Sequence, residues 1–502
     1  MSKQLLLALS CALALPLANA RDNAATAAQA NFAATRSHYA QLLAGPAPKV
    51  AELTLFTNLL PKGADLHHHY SGAIYAETYL DWAKALGWCI YRASDPALRI
   101  EQFKVETKPQ ALQGAARDAC LDVDAVRKDN DLYRGLLTRW SDKDYHNHFH
   151  HQPPPDKQFF DTFNYFGPVS GYDYNLALKH LKARAQAENV GYIETMLKGG
   201  PGLRDVAAYS PLLDSLGAAA TADQVDEALI RAYTYLRNDP ATQQLIKEHV
   251  EVHEAAAAGV DDATFRLRFQ GYASRNSDPS VVFSSLYTSF VAATLRPQLI
   301  VGVNIVGPEN GIVAMRDYSL HMKMLGFLKR QFPQVKLALH AGELALGMVP
   351  PEGLRFHIRE AVTVAGAERI GHGIDIAHED GAVELMAAMR QRPVAVEVNL
   401  SSNDFILGVK GEAHPVLLYA RHGVPFVLST DDAGVSRNNL SHEYMLYATR
   451  YKPDYAALKR LSYDSLRYSF LPEEVKRDEI ARLDARFAEF EARIARLPRA
   501  PR

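Results

Sequence analysis

Ala64-Asp65-Leu66-His67-His68-His69-Tyr70 is a short apolar run that turns abruptly polar. Seven further runs of the same kind follow it: Gly191–Leu197, Phe265–Gly271, Leu299–Val306, Val335–His340, Arg369–Gly373, Val394–Leu400 and Pro425–Thr430. Stretches of helical periodicity lie between most of them. Leu320, Met324, Phe327 and Leu328 precede the fifth run, and Leu385, Met386 and Met389 precede the seventh. Alternating short apolar strands and helices read as a parallel sheet. A count of eight favours an α/β fold closed as a (β/α)8 barrel of the TIM type over an open sheet.

The interval from Tyr70 to Gly191 is far longer than one crossover helix needs. A largely helical insertion, about residues 75–190, is therefore expected after the first strand. It carries His146, His148, His150 and His151, followed by Pro153-Pro154-Pro155. The prolines argue for a solvated loop over the barrel mouth, and a metal-binding tract is the alternative. Residues 21–60 read as a helical extension, with a helix from about Ala24 to Leu43 that ends at Gly45-Pro46. Near the C-terminus, Ile480, Leu483, Phe487, Phe490, Ile494 and Leu497 recur three and four apart, one apolar stripe on a long helix. That stripe packs on the chain's own barrel or forms the seam of a homodimer.

Composition narrows the function. Of the 502 residues, 48% are apolar and 22% charged, an ordinary globular balance. Lys and Arg number 55 against 57 Asp and Glu, so the chain lacks the basic excess of a nucleic-acid or membrane-surface binder. Three cysteines are too few for an all-cysteine zinc module. Lys3, the apolar run Leu5–Leu17 and Ala18-Asn19-Ala20 form a signal peptide, residues 1–20, which implies an exported, periplasmic or secreted chain. No later apolar run is long enough to span a bilayer. Cleavage leaves Cys89 and Cys120, either disulfide-bonded in an oxidising compartment or present as two buried thiols.

In such a barrel the catalytic groups sit at the C-terminal ends of strands. The first strand ends in His67-His68-His69, the fifth in His340-Ala341-Gly342-Glu343, the sixth in His372 and the eighth in Asp431-Asp432. Alternation along a strand points His67 and His69 to one side and His68 to the other. His67, His69, His340 and Asp431 can thus converge on one ion, with Glu343 and His372 beside it. Three nitrogens and one oxygen suit zinc, one per chain, with iron or cobalt possible. Such an ion would bring a bound water towards a pKa of ~7.

Pro61-Lys62-Gly63-Ala64-Asp65-Leu66-His67-His68-His69, His340-Ala341-Gly342-Glu343, Arg369-Ile370-Gly371-His372-Gly373 and Ser429-Thr430-Asp431-Asp432 resemble, in order, the signatures of the adenosine deaminase family. Val398-Asn399-Leu400-Ser401-Ser402-Asn403 resembles its seventh-strand segment, and Val306-Gly307-Pro308-Glu309 its fourth-strand turn. The likeness runs from Pro61 to Glu443. With the signal peptide, it is similar to the secreted growth-factor branch and equally to bacterial periplasmic members.

The resemblance implies hydrolytic deamination of an adenine nucleoside. Glu343 would protonate N1 of the purine, and His372 would orient the hydroxide and assist as base or electrostatic partner. Asp432 would hold N7, and the Gly307 backbone N–H would contact N3. Two positions depart from the family pattern. Ser71 stands where an aspartate would meet the ribose 5′ end, and Asn304 stands where an aspartate is common. Loss of negative charge there implies weaker repulsion of a 5′-phosphate, so 5′-substituted or N6-modified substrates are alternatives to adenosine. Ser71 bonding the same hydroxyl is the other reading. A catalytically silent secreted binding protein would have lost a ligand or the acid, and here each is present. The cysteine-based zinc deaminase signature, and the His-Glu-x-x-His metalloprotease signature, are both absent from the sequence.

Overall fold

Eight parallel strands form one sheet in the computed structural model, which describes residues 25–95, 100–145, 152–217 and 220–497. They are β1 (Lys62–His69), β5 (Val190–Met196), β6 (Arg266–Ser274), β7 (Ile300–Val306), β8 (Lys336–Ala341), β9 (Arg369–His372), β10 (Ala395–Val398) and β11 (Phe426–Leu428). Their order around the sheet is their order in the chain. The edges meet where Asp431 N–H donates to His67 O at 2.9 Å and His69 N–H donates to Asp431 O at 3.3 Å. The result is a (β/α)8 barrel whose eight strands coincide with the eight sequence runs. Most strand residues are buried on both faces, as expected when helices cover the outside and side chains fill the inside.

The insertion is not wholly helical. It contains a small antiparallel sheet of β2 (Cys89–Asp95), β3 (Ile100–Glu106) and β4 (Leu121–Asp122), in the order β3-β2-β4. The alternation Tyr91, Ala93 and the short run at 100–106 carry too few apolar residues for the strand search to find them. Cys89 and Cys120 are joined as a disulfide, tying β2 to the start of β4. The histidine-rich tract 146–151 lies outside the described residues, as does the segment 1–20 that reads as a signal peptide. Where Pro153-Pro154-Pro155 pointed to irregular chain, Pro155 instead opens the helix Pro155–Ser170. Its fixed φ and missing N–H cost nothing at the first helical position.

The N-terminal extension is helical over 25–43, as its pattern predicts, and again over Val50–Leu59. Tyr39 and Phe56 turn inward, and Phe56 meets Phe490 edge-on at 5.2 Å between centroids and Tyr455 at 6.1 Å. The C-terminal helix Glu473–Ala495 thus buries Leu483, Phe487, Phe490 and Ile494 against its own chain. Phe56→Ala should destabilise the protein by about 3–5 kcal/mol, because a fully buried ring leaves a cavity that the aromatic cluster cannot refill. Chemical denaturation read by tyrosine fluorescence checks this; a loss under about 1 kcal/mol would mean the extension is not integral to the fold.

Candidate active site

β1 delivers its histidines as the alternation requires. His67 is fully buried on the inner side. His68 faces the helix layer, where its Nδ1 lies 2.9 Å from Thr195 Oγ1. Asp65 accepts from Thr430 Oγ1 at 2.6 Å and from Thr430 N–H at 3.2 Å, which pins the β11 end beside β1. Asp431, the next residue, has a left-handed backbone, φ 60°. His372 does too, φ 67°. That conformation costs a side-chain-bearing residue about 1–2 kcal/mol, and it occurs here at two of the site's central groups.

The donor atoms converge. His69 Nε2 lies 3.1 Å from His340 Nε2 and 3.3 Å from Asp431 Oδ1, and His67 Nε2 lies 3.6 Å from the same oxygen. Four ligands around one ion at 2.0–2.2 Å stand about 3.3–3.6 Å apart along a tetrahedral edge, so these separations fit a shared cation. The partners of the second ring nitrogens agree. His67 Nδ1–H donates to Glu397 Oε2 at 2.7 Å, leaving a lone pair on Nε2, which is buried and has no hydrogen-bond partner among the described residues. His340 Nδ1 lies 2.9 Å from Asn304 Oδ1. That oxygen also accepts from Ile305 N–H at 2.8 Å, while the Asn304 amide nitrogen donates to Gln270 Oε1 at 3.0 Å. His340 therefore carries its proton on Nδ1 and a lone pair on Nε2. Lone pairs facing one another beside a carboxylate are repulsive unless a cation lies between them. Carboxylate or carbonyl partners behind a ligand imidazole serve that arrangement.

Asn304 is thus placed differently from the sequence expectation. It does not face a ribose 5′ end; it is fully buried behind His340 and fixes that ring's proton. Glu397 and Arg369 went unrecognised as site residues. Arg369 Nε donates to Glu397 Oε1 at 2.5 Å and its Nη2 to Glu194 Oε2 at 2.6 Å, so the buried guanidinium orients the carboxylate behind His67. A lone glutamate inside the apolar run Val394–Leu400 was the available signal.

Glu343 is set by its own turn. Glu309 accepts from Gly342 N–H at 3.0 Å and Glu343 N–H at 2.9 Å. Glu309 is itself fixed by His357 Nδ1 at 2.5 Å and Arg275 Nη1 at 3.4 Å. Burial opposes its charge, but Arg275 and His357 prevail and pull its pKa down to about 2. Glu343 goes the other way. Burial, then the negative charges of Asp431 and Glu309, push its pKa well above the usual carboxylate value, as a proton donor needs. Asp432 is likewise raised by burial and by Asp431, and its Oδ1 has no hydrogen-bond partner among the described residues. A side chain on Gly72 would collide with Asp432.

These groups floor a cavity of about 460 Å³ at the C-terminal ends of the strands. Phe159, Phe160 and Phe163 of the helix Pro155–Ser170 wall it, with Gly307 and Pro308 opposite. Gly307 has φ 100°, a conformation open to glycine that leaves its backbone bare. Ser71 also lines the cavity, together with Asp161 and Asn164 of the insertion helix. All nine residues assigned to the site from sequence therefore lie at one end of the barrel: His67 behind the cavity floor, the other eight on its lining. The aromatic wall and Asp161 come from the insertion, whose path over the barrel no local pattern encodes.

The family model for adenosine deaminases matches residues 231–486. The chain is 32% identical over 184 residues to the adenosine deaminase of Clostridium perfringens strain SM101, an alignment covering 35% of this chain and 51% of that protein. It is 35% identical over 143 residues to the adenosine deaminase of Serratia proteamaculans, covering 28% and 40%. The chain spans about half the length of the curated relatives it matches. In fold it is similar to the Arabidopsis N6-mAMP deaminase, with TM-score 0.52, 18% identity, and 86% and 99% of the two chains covered. It is also similar to an amidohydrolase from Burkholderia ambifaria solved with bound zinc, with TM-score 0.50, 17% identity, and 88% and 94% covered. With more than half of its length matched by that family model, and His67, His69, His340, Glu343, His372 and Asp431 gathered at the strand ends of a (β/α)8 barrel, the chain belongs to the adenosine deaminase family.

Proposed function

We propose that the protein is an exported, zinc-dependent hydrolase that deaminates adenosine or a closely related adenine nucleoside to the 6-oxo product and ammonia. The single observation that carries this is the juxtaposition of a four-donor cation site with a protonated buried glutamate across one cavity. His67, His69, His340 and Asp431 would hold the ion. Zinc, when bound there, supplies a Lewis acid that makes hydroxide available near neutral pH. Glu343 holds a proton for N1, which makes C6 electrophilic. Asp432, protonated by its surroundings, donates to N7, and the Gly307 N–H meets N3. The phenylalanine wall covers the purine and excludes water. One water oxygen is added at C6 and the proton from Glu343 stays on N1; of the two water protons, one leaves with the amino group as ammonia and the other returns to Glu343.

The cavity favours an unphosphorylated sugar. No Lys or Arg is among the described residues that line it. Its one acidic wall residue, Asp161, is already paired with Lys157 at 2.5 Å. A 5′-phosphate would enter without a cation to receive it. Although solved relatives of similar fold bind GMP and IMP, this chain's lining supports a nucleoside. The disulfide between Cys89 and Cys120 supports export to an oxidising compartment.

Ammonia release from adenosine, 2′-deoxyadenosine, adenine, AMP and N6-methyl-AMP tests the assignment. Adenosine or deoxyadenosine should exceed AMP in kcat/KM by about 100-fold or more, an uncompensated phosphate in a closed cavity being worth about 3 kcal/mol. Activity on AMP equal to that on adenosine would overturn the nucleoside reading. Ser71→Asp should raise the preference for adenosine further, since a carboxylate holds a ribose hydroxyl about 1 kcal/mol more tightly than a neutral oxygen.

A further inference from the structure

The segment Leu400-Ser401-Ser402-Asn403 and the turn His414-Pro415-Val416 hold a buried chain of hydrogen bonds that ends on His372. The Val416 backbone N–H can only donate, and it lies 3.1 Å from His414 Nδ1. That nitrogen therefore presents a lone pair, and the neutral ring carries its proton on Nε2. Burial, with Arg450 nearby, depresses the His414 pKa to about 3, which keeps the ring neutral. His414 Nε2 lies 3.2 Å from Asn403 Oδ1, so the amide oxygen accepts. The Asn403 amide nitrogen is thereby turned the other way, 2.9 Å from His372 Nδ1. The Asn399 amide nitrogen stands 3.4 Å from the same atom. A ring nitrogen facing two amide donors accepts, so its own proton belongs on the opposite nitrogen.

We propose that Asn403 and His414 are positioning residues that lock His372 in the tautomer with its proton on Nε2. His372 is then a hydrogen-bond donor to the oxygen that adds to C6, and not an additional metal ligand. The inference rests on the deaminase reading above. His372 Nε2 faces the site, 3.7 Å from Glu343 Oε1 and 3.9 Å from Asp431 Oδ2. Its donor atom also lies within 4.8 Å of those of His67, His340 and Asp431, so distance alone would admit it as a ligand. The polarity of the second nitrogen's partner separates them. Glu397 and the Asn304 oxygen draw the proton of His67 and His340 away from the ion. The amide nitrogens behind His372 drive its proton towards the cavity. A ligand needs the lone pair on Nε2, and His372 does not offer one.

Zinc-loaded full-length protein labelled with 15N-histidine provides the direct readout, with the His372 signals assigned by their loss in His372→Ala. A long-range 1H–15N correlation should show His372 protonated at Nε2 and bare at Nδ1. Asn403→Asp presents a carboxylate to Nδ1 and should reverse the tautomer. It should lower kcat about 100-fold or more, the range that loss of a positioned proton donor produces, while KM shifts less than about threefold and zinc content stays at the wild-type level. His414→Glu, which turns Asn403 over, should do the same. His414→Gln can still donate to Asn403 and should recover at least about tenfold over His414→Glu. Wild-type His372 protonated on Nδ1 would overturn the proposal, as would Asn403→Asp with kcat within about threefold of wild type. If Asn403→Asp fails to fold, the wild-type spectrum and the two His414 variants decide. An Nε2–H spectrum in a protein that turns over no adenine nucleoside would remove the deaminase reading and leave the tautomer assignment supported.

Discussion

Stripping the metal should abolish turnover of an adenine nucleoside, and stoichiometric zinc should restore it. The expectation follows from the donors themselves: Nε2 of His67 and His340 both present lone pairs, and the neighbouring ligand atom is the Asp431 carboxylate. Such a set is built to receive a cation, and binding it to the folded chain alone also stabilises the fold. At a free zinc concentration 1,000 times Kd that linkage is about 4 kcal/mol. Chelator-treated protein should therefore melt lower as well as lose activity, and His69→Ala should lose zinc and rate together. Full activity in protein shown by elemental analysis to be metal-free would reject the site. Glu397→Gln should keep the ligand set but weaken zinc affinity about 10–100-fold, because the amide no longer fixes the His67 proton on Nδ1.

Glu343→Gln should keep zinc and the fold yet lower kcat about 10²–10⁴-fold. Gln is close in size, so the turn held by Glu309 survives, and what disappears is the transferable proton. The sign follows from the environment: burial and the charges of Asp431 and Glu309 keep Glu343 protonated at pH values where a free glutamate would be ionised. The acid form is the working form, and activity is lost as pH rises through that elevated pKa. Glu309→Gln separates geometry from charge, since it can retain one contact to the Gly342–Glu343 amides while removing the negative charge beside Glu343. Steady-state kinetics with measured zinc content reads both variants. Near-normal kcat in Glu343→Gln would show that the proton on N1 comes from elsewhere.

Much of this molecule is local in origin. Most barrel-strand residues are buried, so the strands appear in the sequence as short, largely apolar runs, and the polar residues at the ends of several runs are the ones that meet the cavity. That single rule located His67, His69, His340, Glu343, His372, Asp431 and Asp432. The helical extension and the apolar stripe from Ile480 to Leu497 followed from the 3.6-residue period. The β2–β3–β4 sheet escaped because its strands are low in apolar content, and they depend on one another and on the disulfide.

What the sequence by itself determined is therefore the barrel, its strand order and the list of groups at its mouth. Only the tertiary structure decided what each group can do. His67, His340 and His372 are chemically identical in the sequence, and nothing in their local motifs says which nitrogen bears the proton. That is settled by Glu397, Asn304 and Asn403, which lie 330, 36 and 31 residues away from their respective partners. Asn304 reads as a substitution at the substrate's edge until folding buries it behind His340. The cavity's aromatic wall depends on where the insertion crosses the barrel. A proton's position is fixed by a partner within 3 Å in space, and separation along the chain carries no information about that distance until the barrel closes.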